Sequence, residues 1–285
     1  MQKFFASNTI EKVVNPVTAY LCSMNFNTPG KSENKIRVGA VSYLNTKPLV
    51  YGLEKGLMKD AVELTYDYPG KIAQLLLDNT IDVGLVPVAI IPEMKEHHIV
   101  ADYCIAADGP VASVCLFSEV PLEKITTVLL DYQSRTSVLL VQYLLKEYWQ
   151  LNPVFKKAGV DFINEIKGTT AAVVIGDRAF KQRKISPYIY DLGEAWKKHT
   201  SLPFVFAVWV SNKALPASFI VNFNASNQYG LDRLDEVITE NSCNDFDLKK
   251  YYTQHVQYRL DDVKRKGLHK FLSWCRHLKE SRQPV

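Results

Sequence analysis

The feature that most constrains this chain is a hydrophobic period that switches back and forth from Lys35 onward. Ile36-Arg37-Val38-Gly39-Ala40-Val41 is a short β-type run, and Val62 to Tyr68 alternates apolar and polar residues as a half-buried strand does. Pro69-Gly70 then marks a turn or cap, and Ile72, Leu75 and Leu76 follow at the spacing of an amphipathic helix. Val83 to Pro87 is a further buried strand. The series restarts near Lys124, with strands predicted over 126–130, 171–175 and 204–210 and a helix from Ser134 to Trp149. Ser134 is placed as the N-cap of that helix. Strands alternating with helices predict an α/β fold built on a mostly parallel sheet covered on both faces.

A chain of 285 residues is long for one core and comfortable for two lobes. After Pro216 the pattern turns helical, over Leu231–Ile238, again from Leu248, and finally over Leu260–Leu278. In the last segment Val263, Leu268, Phe271, Leu272 and Cys275 are expected on one face. This C-terminal part is expected to return to the first lobe, making it discontinuous: 35–120 plus 216–285, with 121–215 as the second lobe. Residues 1–34 read as an N-terminal extension with no sustained period, ending in a turn-prone stretch around Pro29-Gly30, and Met24 is a candidate natural start.

Charge excludes some functions. A net charge of +4, evenly spread, is unlike the basic stripe of a nucleic-acid binder. No run reaches the roughly 18 apolar residues of a membrane span, and no secretory signal is visible, so a cytoplasmic location is expected. The five cysteines form no CxxC pair and do not cluster with the six histidines, so reduced buried thiols and no metal site are expected.

Four loops fall at strand ends, where α/β proteins hold ligands. They are Ser42-Tyr43-Leu44-Asn45-Thr46, Asp108-Gly109-Pro110-Val111-Ala112-Ser113, Ser134-Arg135-Thr136-Ser137 and Gly176-Asp177-Arg178. Their hydroxyl, amide and backbone donors suit carboxylates and hydroxyls better than nucleophilic attack. The free N–H groups of a helix start at Ser134–Ser137 would accept an anion, and Arg135 could add a bidentate contact. From residue types alone, Ser134 reads equally as only a cap, with Arg135 turned to solvent or to Asp131. Asn45 reads also as a turn residue, and Asp177 as a helix cap.

The run Arg37-Val38-Gly39-Ala40-Val41-Ser42-Tyr43-Leu44-Asn45-Thr46-Lys47-Pro48-Leu49 resembles the opening signature of the chorismate dehydratase family in the futalosine route to menaquinone. The resemblance continues, in order, through Asp82 to Pro87, Asp108 to Ser113, Ser134 to Ser137, Ile175-Gly176-Asp177, Asp191 to Trp196 and Leu202 to Trp209, covering about 35 to 275. It implies the fold of type II periplasmic binding proteins, two α/β lobes with a ligand cleft between them. It also implies a hydro-lyase that removes water from chorismate to give 3-[(1-carboxyvinyl)oxy]benzoate with no metal or organic cofactor. On the same ground Asn45 and Ser113 are the expected catalytic residues, and the substrate's own side-chain carboxylate is a candidate base. Ser42, Thr46, Gly109, Ser134, Arg135, Thr136, Ser137 and Asp177 are expected to bind the substrate.

The rival readings are a non-catalytic solute-binding protein for a small carboxylate, the sister enzyme 1,4-dihydroxy-6-naphthoate synthase, and a ligand-sensing domain of a transcription factor. The Ser-Tyr-Leu-Asn-Thr and Asp-Gly-Pro segments fit the dehydratase better than the sister enzyme. The oligomeric state is not legible, because Tyr251, Tyr252 and Tyr258 read equally as an interface or as core.

Overall fold

The computed structural model describes residues 35–280, so the expected extension over 1–34, with Met24, lies outside the described residues. The first elements are β1 (Ile36–Val41), a 3-10 turn (Leu44–Thr46), α1 (Lys47–Lys55), β2 (Val62–Asp67), α2 (Pro69–Leu77), β3 (Val83–Pro87) and β4 (His98–Ala107). Proline near the start of α1 and of α2 fixes φ where the helix has no N–H partner to lose. Both helices turn apolar faces inward, through Leu49, Val50 and Leu53 and through Ile72, Ala73 and Leu76.

The chain then builds β5 (Val114–Ser118), β6 (Thr127–Leu130), α3 (Thr136–Tyr143), β7 (Val154–Lys157), β8 (Thr170–Ile175), α4 (Arg178–Gln182), β9 (Tyr188–Asp191) and α5 (Leu192–Thr200). Next come β10 (Phe204–Ser211), α6 (Ala217–Leu231), α7 (Leu234–Glu240), α8 (Leu248–Lys250), a π turn (Tyr251–His255), β11 (Gln257–Arg259) and α9 (Asp262–Glu280). The helix expected over 134–149 is regular only to Tyr143 and finishes as a π turn over Leu144–Tyr148.

Two sheets result. One has six strands in the order β11-β4-β10-β3-β1-β2, the other five in the order β7-β6-β8-β5-β9. Both are mixed rather than mostly parallel. β1 runs parallel to β2 and β3, and β6 to β7 and β8, but β10 is antiparallel to β3 and β4, and β5 to β8 and β9. The physical reason is that β5 and β10 arrive from the other sheet, so no helical crossover sets their direction.

Sheet membership also shifts the expected lobe boundaries. β5, within 35–120, pairs in the five-stranded sheet, and β10, within 121–215, pairs in the six-stranded one. Both are short, wholly apolar runs, and such runs carry nothing in sequence that says which sheet they join. The chain passes to the second sheet between Ala107 and Val114 and returns between Asp191 and Phe204.

The C-terminal part returns to the first sheet: β11 pairs with β4, and α9 packs on β10. Phe271 of α9 stacks edge-on against Phe204 and Trp196. Leu268, Phe271, Leu272 and Cys275 are buried, but Val263 is half exposed. At about 100° per residue it sits roughly 140° round the helix from Leu268, off the buried face. Tyr251, Tyr252 and Tyr258 are core.

Candidate active site

The loop after β1 is held by its backbone, which leaves its side chains free to serve a ligand. Leu44 N–H donates to both oxygens of Asp177, at 3.1 and 3.3 Å. The hydroxyls of Tyr252 and Tyr258 donate to the carbonyls of Leu44 and Asn45, each at 3.0 Å. Thr46 N–H closes the turn on Tyr43 O at 3.0 Å. With its main chain fixed this way, Asn45 presents its amide to the space between the sheets, its Oδ1 accepting from the Thr46 hydroxyl at 3.3 Å.

Ser113 lies on the passage from β4 to β5, in a segment that holds two left-handed residues, Gly109 at φ +124° and Ala112 at φ +65°. Ala112 is the middle of a tight turn in which Ser113 N–H donates to Val111 O at 2.8 Å. A left-handed alanine costs roughly 1–3 kcal/mol and needs outside support. Asp191, at the end of β9, supplies it. Its Oδ1 accepts from Val111 N at 3.1 Å, and its Oδ2 from Ala112 N at 2.8 Å. The same Oδ1 caps α5 by accepting from Gly193 N and Glu194 N, at 3.0 and 3.1 Å. Burial pushes the Asp191 carboxyl above its ordinary value, against the pull of those N–H groups.

Ser113 itself is fully buried, and its Oγ accepts from the Tyr251 hydroxyl at 2.7 Å. Burial holds the Tyr251 phenol far above its ordinary value, although its bonds to Ser113 and to the Asn45 side chain pull the other way. The π turn that carries Tyr251 also supplies Tyr252, bonded to Leu44 O, and His255, whose Nδ1 meets Pro110 O at 3.0 Å. One short turn thus braces both the Asn45 and the Ser113 loops.

Between the two sheets lies a cavity whose empty space, counted out through its open mouth, is about 540 Å³. Its polar lining is Tyr43, Asn45, Thr46, Ser113, Ser134, Thr136 and Ser137. Its apolar lining includes Pro69, Leu85, Pro87, Ile105 and Phe206. Among the described residues, the lining contains no carboxylate, imidazole, ammonium or guanidinium. Ser134 Oγ accepts from Ser137 N at 3.0 Å, so it does cap its helix, one residue before the first regular turn. Burial has also raised the Asp177 carboxyl to about 6, with Leu44 N–H, Lys47 and Arg178 opposing it.

The cleft is closed over this cavity. Besides Leu44 to Asp177, Ala89 N donates to Thr136 Oγ1 at 3.2 Å and Gly70 N to Gln133 O at 3.0 Å. The Tyr43 hydroxyl donates to Gln133 Oε1, and the Tyr43 ring rests on Gly176, where a Cβ would stand 2.7 Å from ring carbons. Asn45, Thr46, Ser113, Ser134, Thr136 and Ser137 are therefore brought together around one space. Four other expected binding residues are not in its lining. Ser42 is exposed beside it, and Gly109 serves the backbone of the Ser113 segment. Asp177 ties the two sheets together. Arg135 points away, to Gln74 Oε1 at 3.3 Å and Glu93 Oε2 at 3.7 Å.

A family model for menaquinone biosynthesis matches residues 36–277, nearly the whole of the described chain. The chain belongs to the menaquinone biosynthesis family. Two curated relatives of this family member are chorismate dehydratases. That of Thermus thermophilus is 27% identical over 260 residues, covering 82% of this chain and 93% of its own. That of Campylobacter jejuni is 27% identical over 252 residues, covering 84% and 97%. Among solved structures, the periplasmic aliphatic sulphonate binding protein of Escherichia coli superposes with a TM-score of 0.59 at 12% identity, covering 89% of this chain and 96% of its own. The menaquinone biosynthesis fold here is thus periplasmic-binding-protein-like.

Sequence reasoning missed Tyr43, Gln133, Asp191 and Tyr251. Asp191-Leu192-Gly193-Glu194 carries a legible signal, an aspartate three residues before a glutamate at a helix start. Nothing local announces Tyr251, whose partner lies 138 residues away.

Proposed function

We propose that this chain is a chorismate dehydratase, a hydro-lyase converting chorismate to 3-[(1-carboxyvinyl)oxy]benzoate and water. The observation that carries this reading is the cavity itself, around which Asn45, Ser113 and the helix start at Ser134–Ser137 converge. Such a lining suits a reaction whose driving force is aromatisation of the substrate ring. The ring carbon bearing the ether loses a proton, and its electron pair forms the new double bond. Hydroxide leaves the neighbouring carbon with its bonding pair, and the proton and hydroxide together make water.

The protein's part is orientation and local stabilisation, which can supply several kcal/mol. Donors at the start of α3 hold one substrate carboxylate. Asn45 offers both a donor and an acceptor to the other polar groups. Ser113 meets the departing hydroxyl, and the substrate's side-chain carboxylate takes the ring proton. Asp177 and Thr136 keep the cleft closed, so that water is excluded while charge develops. The similarity to two curated dehydratases over more than four-fifths of the chain supports the same reading.

The deciding experiment mixes purified protein with chorismate, without metals or nucleotides, and follows the product by mass and absorbance. Loss of one water with a new benzoate chromophore is expected, and Asn45→Ala and Ser113→Ala should each abolish most of it. Tight binding without turnover would replace this reading with a solute-binding one. Full turnover in both variants would remove the two residues from the chemistry.

A further inference from the structure

We propose that Tyr251 is a positioning residue that fixes the Ser113 hydroxyl as a donor aimed into the cavity. The inference rests on the dehydratase reading and adds a role that the sequence does not suggest.

The geometry sets the direction of each bond. The Tyr251 hydroxyl has one proton, and it lies 2.7 Å from Ser113 Oγ. The Asn45 side chain faces the same phenol. Its Oδ1 accepts from the Thr46 hydroxyl at 3.3 Å. The phenol gives its proton to Ser113 Oγ. Ser113 then cannot return a proton along that bond. Ser113 is fully buried except toward the cavity it lines, so its hydrogen is directed there.

A fixed donor at that point matches the needs of the proposed elimination. The leaving hydroxide carries the electron pair of the broken C–O bond, and a hydrogen bond to it is strongest in the transition state. Ser113 and Tyr251 keep their own protons when the reaction ends, because the proton that completes the water comes from the ring carbon. Burial holds Tyr251 protonated throughout the neutral range, so it acts as a donor and not as a base. The tyrosine is locked in place by the rings of Phe180, Phe246 and Tyr252, with centroids 5.0, 6.0 and 5.7 Å away. Without it the serine hydroxyl would be free to rotate and accept as often as donate.

The test compares Tyr251→Phe, Ser113→Ala and the double variant in the full chain. Phenylalanine keeps the ring contacts, so a melting temperature close to wild type is expected. Turnover of chorismate by Tyr251→Phe should fall roughly 10- to 100-fold with KM little changed, the signature of an interaction made in the transition state. In the Ser113→Ala background, Tyr251→Phe should cost nothing further, because the group it orients is gone. A Tyr251→Phe chain as fast as wild type would overturn the proposal, and so would losses that multiply fully in the double variant. A wild-type chain that leaves chorismate unchanged would overturn the dehydratase reading and this proposal together, which separates the two failures.

Discussion

The clearest test of how the Ser113 segment is held is to alter Asp191. Its two oxygens accept from four backbone N–H groups, and the division between them is unequal. Oδ1 serves Val111, Gly193 and Glu194, while Oδ2 serves Ala112 at 2.8 Å. Asp191→Ala leaves all four donors without that partner. At about 1 kcal/mol or more for each buried unsatisfied group, the loss is on the order of 4 kcal/mol. For a chain of this size that lowers the melting temperature by roughly 8–16 °C. Asp191→Asn is the sharper variant. With its carbonyl in the Oδ1 position it keeps three of the four bonds, and its amide faces Ala112 N–H, donor against donor. The cost is then about 1–3 kcal/mol, concentrated on the one left-handed alanine next to Ser113. The expected result is a modest fall in melting temperature, by scanning calorimetry, together with a loss of chorismate turnover of at least about tenfold. An Asp191→Ala chain that melts with wild type, or an Asp191→Asn chain with full turnover, would refute the bracing argument.

Three further outcomes are expected. The Asp177 carboxyl sits at about 6, above its ordinary 3.8, so the folded chain binds that proton more tightly than the unfolded one. Its contribution to stability is therefore present at low pH and is lost as pH rises from about 4 to 6. Asp177→Asn, which still offers an acceptor to Leu44 N, should remove that pH slope and gain roughly 1–3 kcal/mol above pH 7. Urea midpoints with the wild-type slope would contradict this. Gly176→Ala places a Cβ 2.7 Å from the Tyr43 ring at φ +66°. It should cost about 1–2 kcal/mol and raise KM for chorismate, and an unchanged KM would show that Tyr43 does not shape the cavity. Arg135→Ala should change KM by less than about fivefold, since exposed contacts of this kind contribute ~1 kcal/mol or less. A rise of two orders of magnitude would mean that Arg135 reaches the substrate.

What could be read from the sequence divides along local and non-local lines. β1, β2, α2 and β3 were legible because period, turn residues and length are properties of neighbouring residues. Ser134 as a cap was legible for the same reason. The mixed character of both sheets was not, because Val114–Ser118 and Phe204–Ser211 look like any buried strand and their direction depends on which sheet they enter. Residue chemistry alone left Asn45 with two readings, and family likeness favoured one. Only the structure shows that the turn bonds of its loop are made by Asp177, Tyr252 and Tyr258, so the side chain is not used up in closing the turn and lines the cavity. Arg135 shows the opposite failure. A guanidinium near a helix start looks like an anion ligand, yet its direction is set by the neighbouring Gln74 and Glu93.

The two passages between the sheets have a mechanical consequence. Ala107 stands opposite Phe204 in the first sheet, and Cys115 opposite Asp191 in the second, so the outgoing and returning chains run side by side. Any opening of the cleft has to turn about this pair, since it is the covalent connection between the halves. Points near an axis travel little and points far from it travel most. Ser113 and its brace Asp191 lie next to this pair, so an opening about it would move them little, while Asn45 and the start of α3, on opposite halves, would move more. A substrate entering an open cleft would therefore meet Ser113 already in place, and closing would bring the other two groups to it.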